Sequence, residues 1–305
     1  MGDLFSLKNK VALVTGGTGV LGQEMVRGLA EAGAKIAILG RRFEAGDKLA
    51  KELQQKGFQC LALQADVLEE NQLHKAKQKL LETFGTLDIL VNAAGGNLPG
   101  AVIPPEKTFF DLNIEDFKKV VDLNLLGTVL PTQIFSDIFM QKKEGIIINI
   151  SSMAAYRPIT RVVGYAAAKA GVDNFTGWLS IEMAKKFGEG IRVNAIAPIA
   201  STRMTEGLLG EVLEYFRPEL VSPAVAYLAS EECELTSELW SVGGGSVSRI
   251  FVALADGYFK HPKDGPITVE DVVANLEEIR SEDGYIVPFS SQDEFAKLGP
   301  KLLDI

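Results

Sequence analysis

Short and almost wholly apolar runs recur along the chain at Val11–Val14, Lys35–Leu39, Cys60–Leu63, Ile89–Val91, Ile146–Ile150 and Arg192–Ile196. Runs so brief, with so few polar residues, are the pattern of strands covered on both faces. Between them lie longer stretches, Gln23–Glu31, Glu44–Lys56, Gln72–Phe84, Ile114–Phe139 and Tyr165–Phe187. Their apolar residues return every three or four positions, the period of a helix with one buried face. This alternation predicts an α/β fold: a doubly wound, Rossmann-type parallel sheet of about seven strands with helices on both faces. The last strand is expected near Leu239–Val242.

The pattern changes near the end. Asp256–Pro266 is rich in glycine, proline and charge and reads as a loop. Thr268-Val269-Glu270-Asp271 reads as a helix start, with Thr268 as N-cap and acidic residues in the first turn. The expectation is a catalytic domain over residues 1–254 and a C-terminal extension over 255–305. The extension would pack on that domain or on a neighbouring subunit, because so few residues build little core of their own.

Composition narrows the class. The 305 residues are 47% hydrophobic and 23% charged, which suits a globular chain with a sizeable core. A net charge of -9 offers no basic footprint for nucleic acid and no attraction to anionic lipid. No apolar run reaches the ~18 residues needed to span a bilayer. No apolar signal segment precedes Val11, and Cys60 and Cys233 stand apart, so the cytoplasm is the expected compartment. His74 and His261 sit in no ligand spacing, and no metal site is expected.

Candidate chemistry begins after the first strand, at Thr15-Gly16-Gly17-Thr18-Gly19-Val20-Leu21-Gly22. Glycines at 16, 19 and 22 permit a tight turn and close backbone approach, and the helix that follows presents free N–H groups to a pyrophosphate. The end of the second strand selects between nicotinamide cofactors. An acidic residue there binds a ribose 2′-hydroxyl, whereas basic residues suit a 2′-phosphate. The chain has Gly40-Arg41-Arg42, with two guanidiniums and no carboxylate, so NADP(H) is favoured and NAD(H) stays open. Asp66, before Val67, either hydrogen-bonds the adenine or caps the next helix.

Tyr165 and Lys169 stand four residues apart, hence on one helix face. An ammonium beside a phenol favours the phenolate and brings its pKa towards the working range. Upstream, a buried strand ends in Asn149-Ile150-Ser151-Ser152, and a hydroxyl there can stabilise charge on a substrate carbonyl oxygen.

With Asn92-Ala93-Ala94-Gly95 after the fourth strand and Asn124 in a helical stretch, the chain resembles the short-chain dehydrogenase/reductase family over roughly residues 8–245. That resemblance implies an NAD(P)(H)-dependent oxidoreductase. It implies a tetrad of Asn124, Ser152, Tyr165 and Lys169: Tyr165 as general acid/base, Ser152 on the substrate oxygen, Lys169 lowering the tyrosine pKa, Asn124 holding a relay water. It also implies cofactor contacts from Gly16, Thr18, Gly19, Val20, Leu21, Gly22, Arg41, Arg42, Asp66, Val67, Asn92, Ala93, Ala94, Gly95, Tyr165 and Lys169. Pro198, Ile199 and Thr202 would bracket the nicotinamide carboxamide, with Ile199 standing where the family usually has glycine. Gly96, Asn97, Met153 and Met204 join Ser152 and Tyr165 as the expected substrate contacts.

Within the family the chain is similar to two branches. From about residue 8 to 198 it resembles D-mannonate oxidoreductases (fructuronate reductases), through Asn92–Asn97, Lys107–Leu112 and Asp122–Gln133. From about Ala200 it is similar to the (3R)-hydroxyacyl-CoA dehydrogenase domain of peroxisomal multifunctional enzymes, through Ser201–Thr205, Phe216–Glu219, Val242–Gly245 and Pro266–Thr268. A natural lineage mixing both and a recombinant joined near Arg192–Ala200 each account for the change. The first branch implies a small sugar-acid substrate. The second implies an acyl-CoA, whose phosphates Arg203, Arg217, Arg249 or Lys260 would bind. A nucleotide-binding sensor without turnover is the reading from another class, and it leaves the tetrad without a purpose. By analogy with the family's long pairing helices, a homo-oligomer, tetramer or dimer, is expected.

Overall fold

A computed structural model describes residues 5–157, 161–202 and 210–303. The chain divides into two compact units, Met1–Arg249 and Ile250–Ile305. In the first, strands β1 (Val11–Thr15), β2 (Lys35–Gly40), β3 (Cys60–Gln64), β4 (Ile89–Asn92), β5 (Gly145–Ile150), β6 (Ile191–Pro198) and β7 (Leu239–Gly243) pair in parallel. An eighth strand, β8 (Ser246–Ile250), joins the edge, giving the order β3-β2-β1-β4-β5-β6-β7-β8. Seven parallel strands meet the expected sheet of about seven, and β8 extends its edge. Only Gly244 and Gly245 link β7 to β8, with φ of 57° and 81°. Two successive positive φ values make a type I′ hairpin, so β8 runs antiparallel. An exposed strand without the apolar alternation of a core face carries little sequence signal.

The strands feed alternate residues to two cores. Ala12, Val14, Ile36, Ile38, Ile146 and Ile148 meet α1 (Val20–Glu31), α2 (Phe43–Gln55) and α8 (Ser222–Ala229). Val11, Leu13, Ala37, Leu39 and Ile147 meet α3 (Glu70–Phe84), α5 (Gly127–Phe135), α6 (Asp137–Lys142) and α7 (Val163–Phe187). Both faces are therefore dry, which is why the strand sequences read as continuous apolar runs.

The single helix expected over Ile114–Phe139 is broken. α4 (Ile114–Val121) passes into a π-helical turn at Asp122–Leu126 before α5 and α6. The wider turn swings Asn124 into the interior, and Pro131 inside α5 removes one backbone donor further on. The periodicity survives this insertion, so the sequence alone reads as one element.

The second unit carries α9 (Val269–Ala274), α10 (Leu276–Arg280) and α11 (Ser291–Leu303). Thr268 caps α9 as expected, accepting from the Asp271 N–H at 3.2 Å while Asp271 accepts from the Thr268 N–H at 2.9 Å.

Candidate active site

The sheet order reverses between β1 and β4, and this is where a doubly wound fold opens a crevice for a ligand. Thr15 ends β1, and its hydroxyl accepts from the N–H groups of Ala93 and Ala94 at 3.1 and 3.2 Å. Gly16 turns the chain with a φ of 63°, and a Cβ on it would lie 2.6 Å from the Ala93 carbonyl oxygen. A Cβ on Gly22 would lie 2.2 Å from the Gly16 oxygen. Both positions exclude side chains, and Gly19 precedes α1 with no side chain capping the helix. The first-turn N–H groups of Val20, Leu21 and Gly22 therefore end at a bare backbone cradle beside Thr18, which fits a pyrophosphate.

At the end of β2, Arg41 is 71% exposed and its guanidinium lies 3.9 Å from the Asp66 carboxylate. Arg42 is exposed and precedes α2. A Cβ at Gly40 would meet the Thr18 hydroxyl at 3.0 Å, so an acidic side chain there would crowd the cradle. The Asp66 carboxylate accepts from the Leu68 N–H at 3.1 Å, closing a turn. It does not cap α3, where Glu69 takes the N-cap position. Val67 is a core residue packed against the start of α5, which leaves only its backbone for a ligand.

Deeper in the crevice, a buried ladder fixes the strand ends. Asn92 Nδ2 donates to Thr132 Oγ1 at 2.8 Å and to Asn149 Oδ1 at 2.9 Å, and Asn149 Nδ2 donates to Thr176 Oγ1 at 2.9 Å. This ties β4 and β5 to α5 and α7. Gly95 follows so closely that a Cβ on it would lie 2.6 Å from Asn124 Oδ1 and 3.4 Å from Lys169 Nζ.

The four tetrad positions converge here. Lys169 is 3% exposed, and its Nζ donates to the Ile150 carbonyl at 2.6 Å and sits 5.7 Å from the Tyr165 ring centre. Tyr165 is buried and the Ser152 hydroxyl lies against it. Burial pushes the phenol above its ordinary pKa, and Ser152 acts the other way. Desolvation is thus the largest influence on the phenol in the protein alone. Burial likewise holds Lys169 down to about 8, with Asp173 opposing.

Asn124, from the π-helical turn, is fully buried beside them. Its amide donates to the Gly96 and Val120 carbonyls at 2.7 and 2.9 Å, and its Oδ1 accepts from the Gly96 N–H at 3.0 Å. The side chain is a clamp on the Gly95–Gly96 segment, with both amide donors used. Its backbone carbonyl accepts from Thr128 Oγ1 at 3.0 Å.

Of the remaining expected contacts, Asn97 turns back to the Leu98 N–H at 3.0 Å and Met153 is exposed at the start of a short 3₁₀ turn. Pro198 ends β6, and the Ile199 N–H donates to Val242 at 2.8 Å. The close approach usually served by glycine after that proline is supplied across the strand pair by Gly243, where a Cβ would meet the Ile199 oxygen at 2.2 Å. Thr202 lies at the edge of the described residues, while Met204 and Arg203 lie outside them. The other basic residues named for an acyl-CoA are engaged: Arg217 with Glu219 at 3.3 Å, Arg249 with Glu238 at 3.0 Å, Lys260 with Asp271 at 2.7 Å. Sequence reasoning missed Asp173, which lies one further turn along the Tyr165–Lys169 face and was legible from the same spacing.

The short chain dehydrogenase pattern matches residues 10–210, and the chain belongs to that family. It is therefore an NAD(P)-dependent oxidoreductase acting on CH–OH groups. "Uncharacterized oxidoreductase UxuB" of Bacillus subtilis is 42% identical over 201 residues, covering 63% of this chain and 71% of the relative. Mouse "Peroxisomal multifunctional enzyme type 2" is 31% identical over 280 residues, covering 88% of this chain and 36% of the relative. Among solved structures, the NAD-bound "putative D-Mannonate oxidoreductase" of Haemophilus influenza superposes with a TM-score of 0.72 at 36% identity, covering 79% of this chain and 95% of that one.

Proposed function

We propose that the protein interconverts a sugar-acid ketone and its secondary alcohol, of the fructuronate/mannonate type, with NADP(H) preferred over NAD(H). The observation that carries the substrate reading is the 36% identity and 0.72 TM-score to the structure titled "putative D-Mannonate oxidoreductase".

The cradle at Gly16–Gly22 and the segment Asn92–Gly95 would hold a nicotinamide dinucleotide, which would supply or accept the hydride. Everything else falls to the chain. Ser152 donates to the carbonyl oxygen and holds it beside Tyr165. In reduction, Tyr165 gives its proton to that oxygen as negative charge develops; its burial keeps it in the protonated, donating state at neutral pH. Lys169, held by the Ile150 carbonyl, stabilises the phenolate left behind. Asn124 keeps Gly95 and Gly96 against the reacting centre.

The (3R)-hydroxyacyl-CoA reading is favoured by one observation, the reach of the match to the mouse multifunctional enzyme across 88% of this chain. Oxidation of the nicotinamide, followed by absorbance, separates the two. Turnover with fructuronate and none with a 3-ketoacyl-CoA is expected; the reverse pattern overturns the sugar-acid reading.

Cofactor preference has its own test. Replacing Arg41 and Arg42 together with alanine is expected to weaken NADPH binding by about tenfold or more while sparing NADH, because each charge-assisted hydrogen bond contributes ~1.5–3 kcal/mol. Equal losses for both cofactors would remove the 2′-phosphate from the account.

A further inference from the structure

Tyr165, Lys169 and Asp173 occupy successive turns of α7, each four residues from the next and so on one face. The end of β5 answers them residue by residue. The Ile150 carbonyl accepts from Lys169 at 2.6 Å, Ser151 lies against Asp173, and Ser152 lies against Tyr165. The first and last of these contacts belong to the tetrad. The middle one is not used by the chemistry described above.

We propose that Asp173, backed by Ser151, is a positioning residue: its carboxylate keeps the buried Lys169 ammonium charged and so sets the pH range over which Tyr165 exchanges its proton. The proposal rests on the reading of Tyr165 and Lys169 as the proton-transfer pair.

Three observations support it. Asp173 Oδ1 and Ser151 Oγ are both shut off from solvent without a well-formed hydrogen bond. Shielding such atoms is costly, and an apolar residue at 173 would pack there without that cost. Second, a lysine placed four residues before an acid is the weaker order for helix stability, so the pair is not explained by support of α7. Third, the electrostatics run both ways. Burial pushes the Asp173 carboxyl up to about 6, with Ser151 and Lys169 pulling it down, while Asp173 opposes the burial that holds Lys169 near 8.

The other groups around the pair do not compete. Ser151, Ser152 and the Ile150 carbonyl from β5 and Asn124 from the π-helical turn are neutral. Arg192 of β6 is turned to the Leu228 and Ser230 carbonyls, and Lys118 and Lys119 of α4 pair with Glu115 and Asp116. Asp173 is ionised and Lys169 protonated between about pH 6 and pH 8. Within that window the ammonium is present to stabilise a phenolate. Neutralising Asp173 removes the opposing charge, so Lys169 loses its proton at lower pH.

The test reads Lys169 directly and needs no substrate. The protein is prepared with isotope-labelled lysine, the Cε resonance of Lys169 is assigned through Lys169→Arg, and it is followed against pH. Asp173→Asn is expected to lower its midpoint by about one pH unit or more, with Asp173→Glu restoring most of the loss. Ser151→Ala, which removes only a hydroxyl, is expected to move it the same way by less, and it carries the test if Asp173→Asn does not fold. An unmoved Lys169 titration in the folded variants overturns the proposal. Failure of the underlying reading looks different: Tyr165→Phe would then retain turnover whatever Lys169 does.

Discussion

Replacing Tyr165 with phenylalanine is expected to lower kcat by about 10²–10⁴-fold, the usual contribution of a positioned general acid. The ring remains to fill its buried place, so folding and dinucleotide affinity should be kept. The loss should appear in kcat rather than KM, because the proton is needed only as charge develops on the substrate oxygen. Steady-state rates and a parallel fluorescence titration of the cofactor check both halves. A variant that still turns over would return Tyr165 to the core. A protein with no turnover in either form, binding dinucleotide equally well, would be the sensor instead.

The second large effect is at Gly22. Any side chain there meets the Gly16 oxygen at 2.2 Å, so Gly22→Ala must push α1 away from the turn that forms the cradle. Overpacking of this kind costs ~1–3 kcal/mol, and the displaced N–H groups should weaken cofactor binding by at least about tenfold. The contrast is Gly177→Ala within α7. There the nearest atom to a new Cβ is Ser237 Oγ at 3.8 Å, so the helix gains propensity without a clash. Thermal unfolding and cofactor titration of the two variants should diverge. Gly22→Ala loses both stability and binding, while Gly177→Ala loses neither.

Much of the fold was legible because the sheet is buried on both faces. A run such as Ile146–Ile150, with four isoleucines around a single Asn149, has one reading, and its strand begins just one residue earlier. The cradle was legible for the same kind of reason, since Gly16 and Gly22 stand where a side chain has no room. What escaped was local geometry that leaves the periodicity intact. The π-helical turn at Asp122–Leu126 inserts Asn124 into the site without changing which residues are apolar. The β7–β8 hairpin was written in Gly244-Gly245, but β8 is exposed and offers no alternation to read. Burial was the other hidden quantity. Spacing puts Lys169 beside Tyr165, yet only packing shows that desolvation pushes the phenol above its ordinary pKa. Asp173 was visible in the sequence as the next member of the same face.

The central claim is that the crevice between β1 and β4 binds a nicotinamide dinucleotide for chemistry at Tyr165. The most direct measurement is a fluorescence titration of the intact protein with NADPH and NADH side by side at fixed salt. The account predicts saturable binding, with NADPH the tighter of the two through Arg41 and Arg42. Saturation by neither dinucleotide would contradict it, because a chain that leaves this cradle empty has no hydride partner for Tyr165.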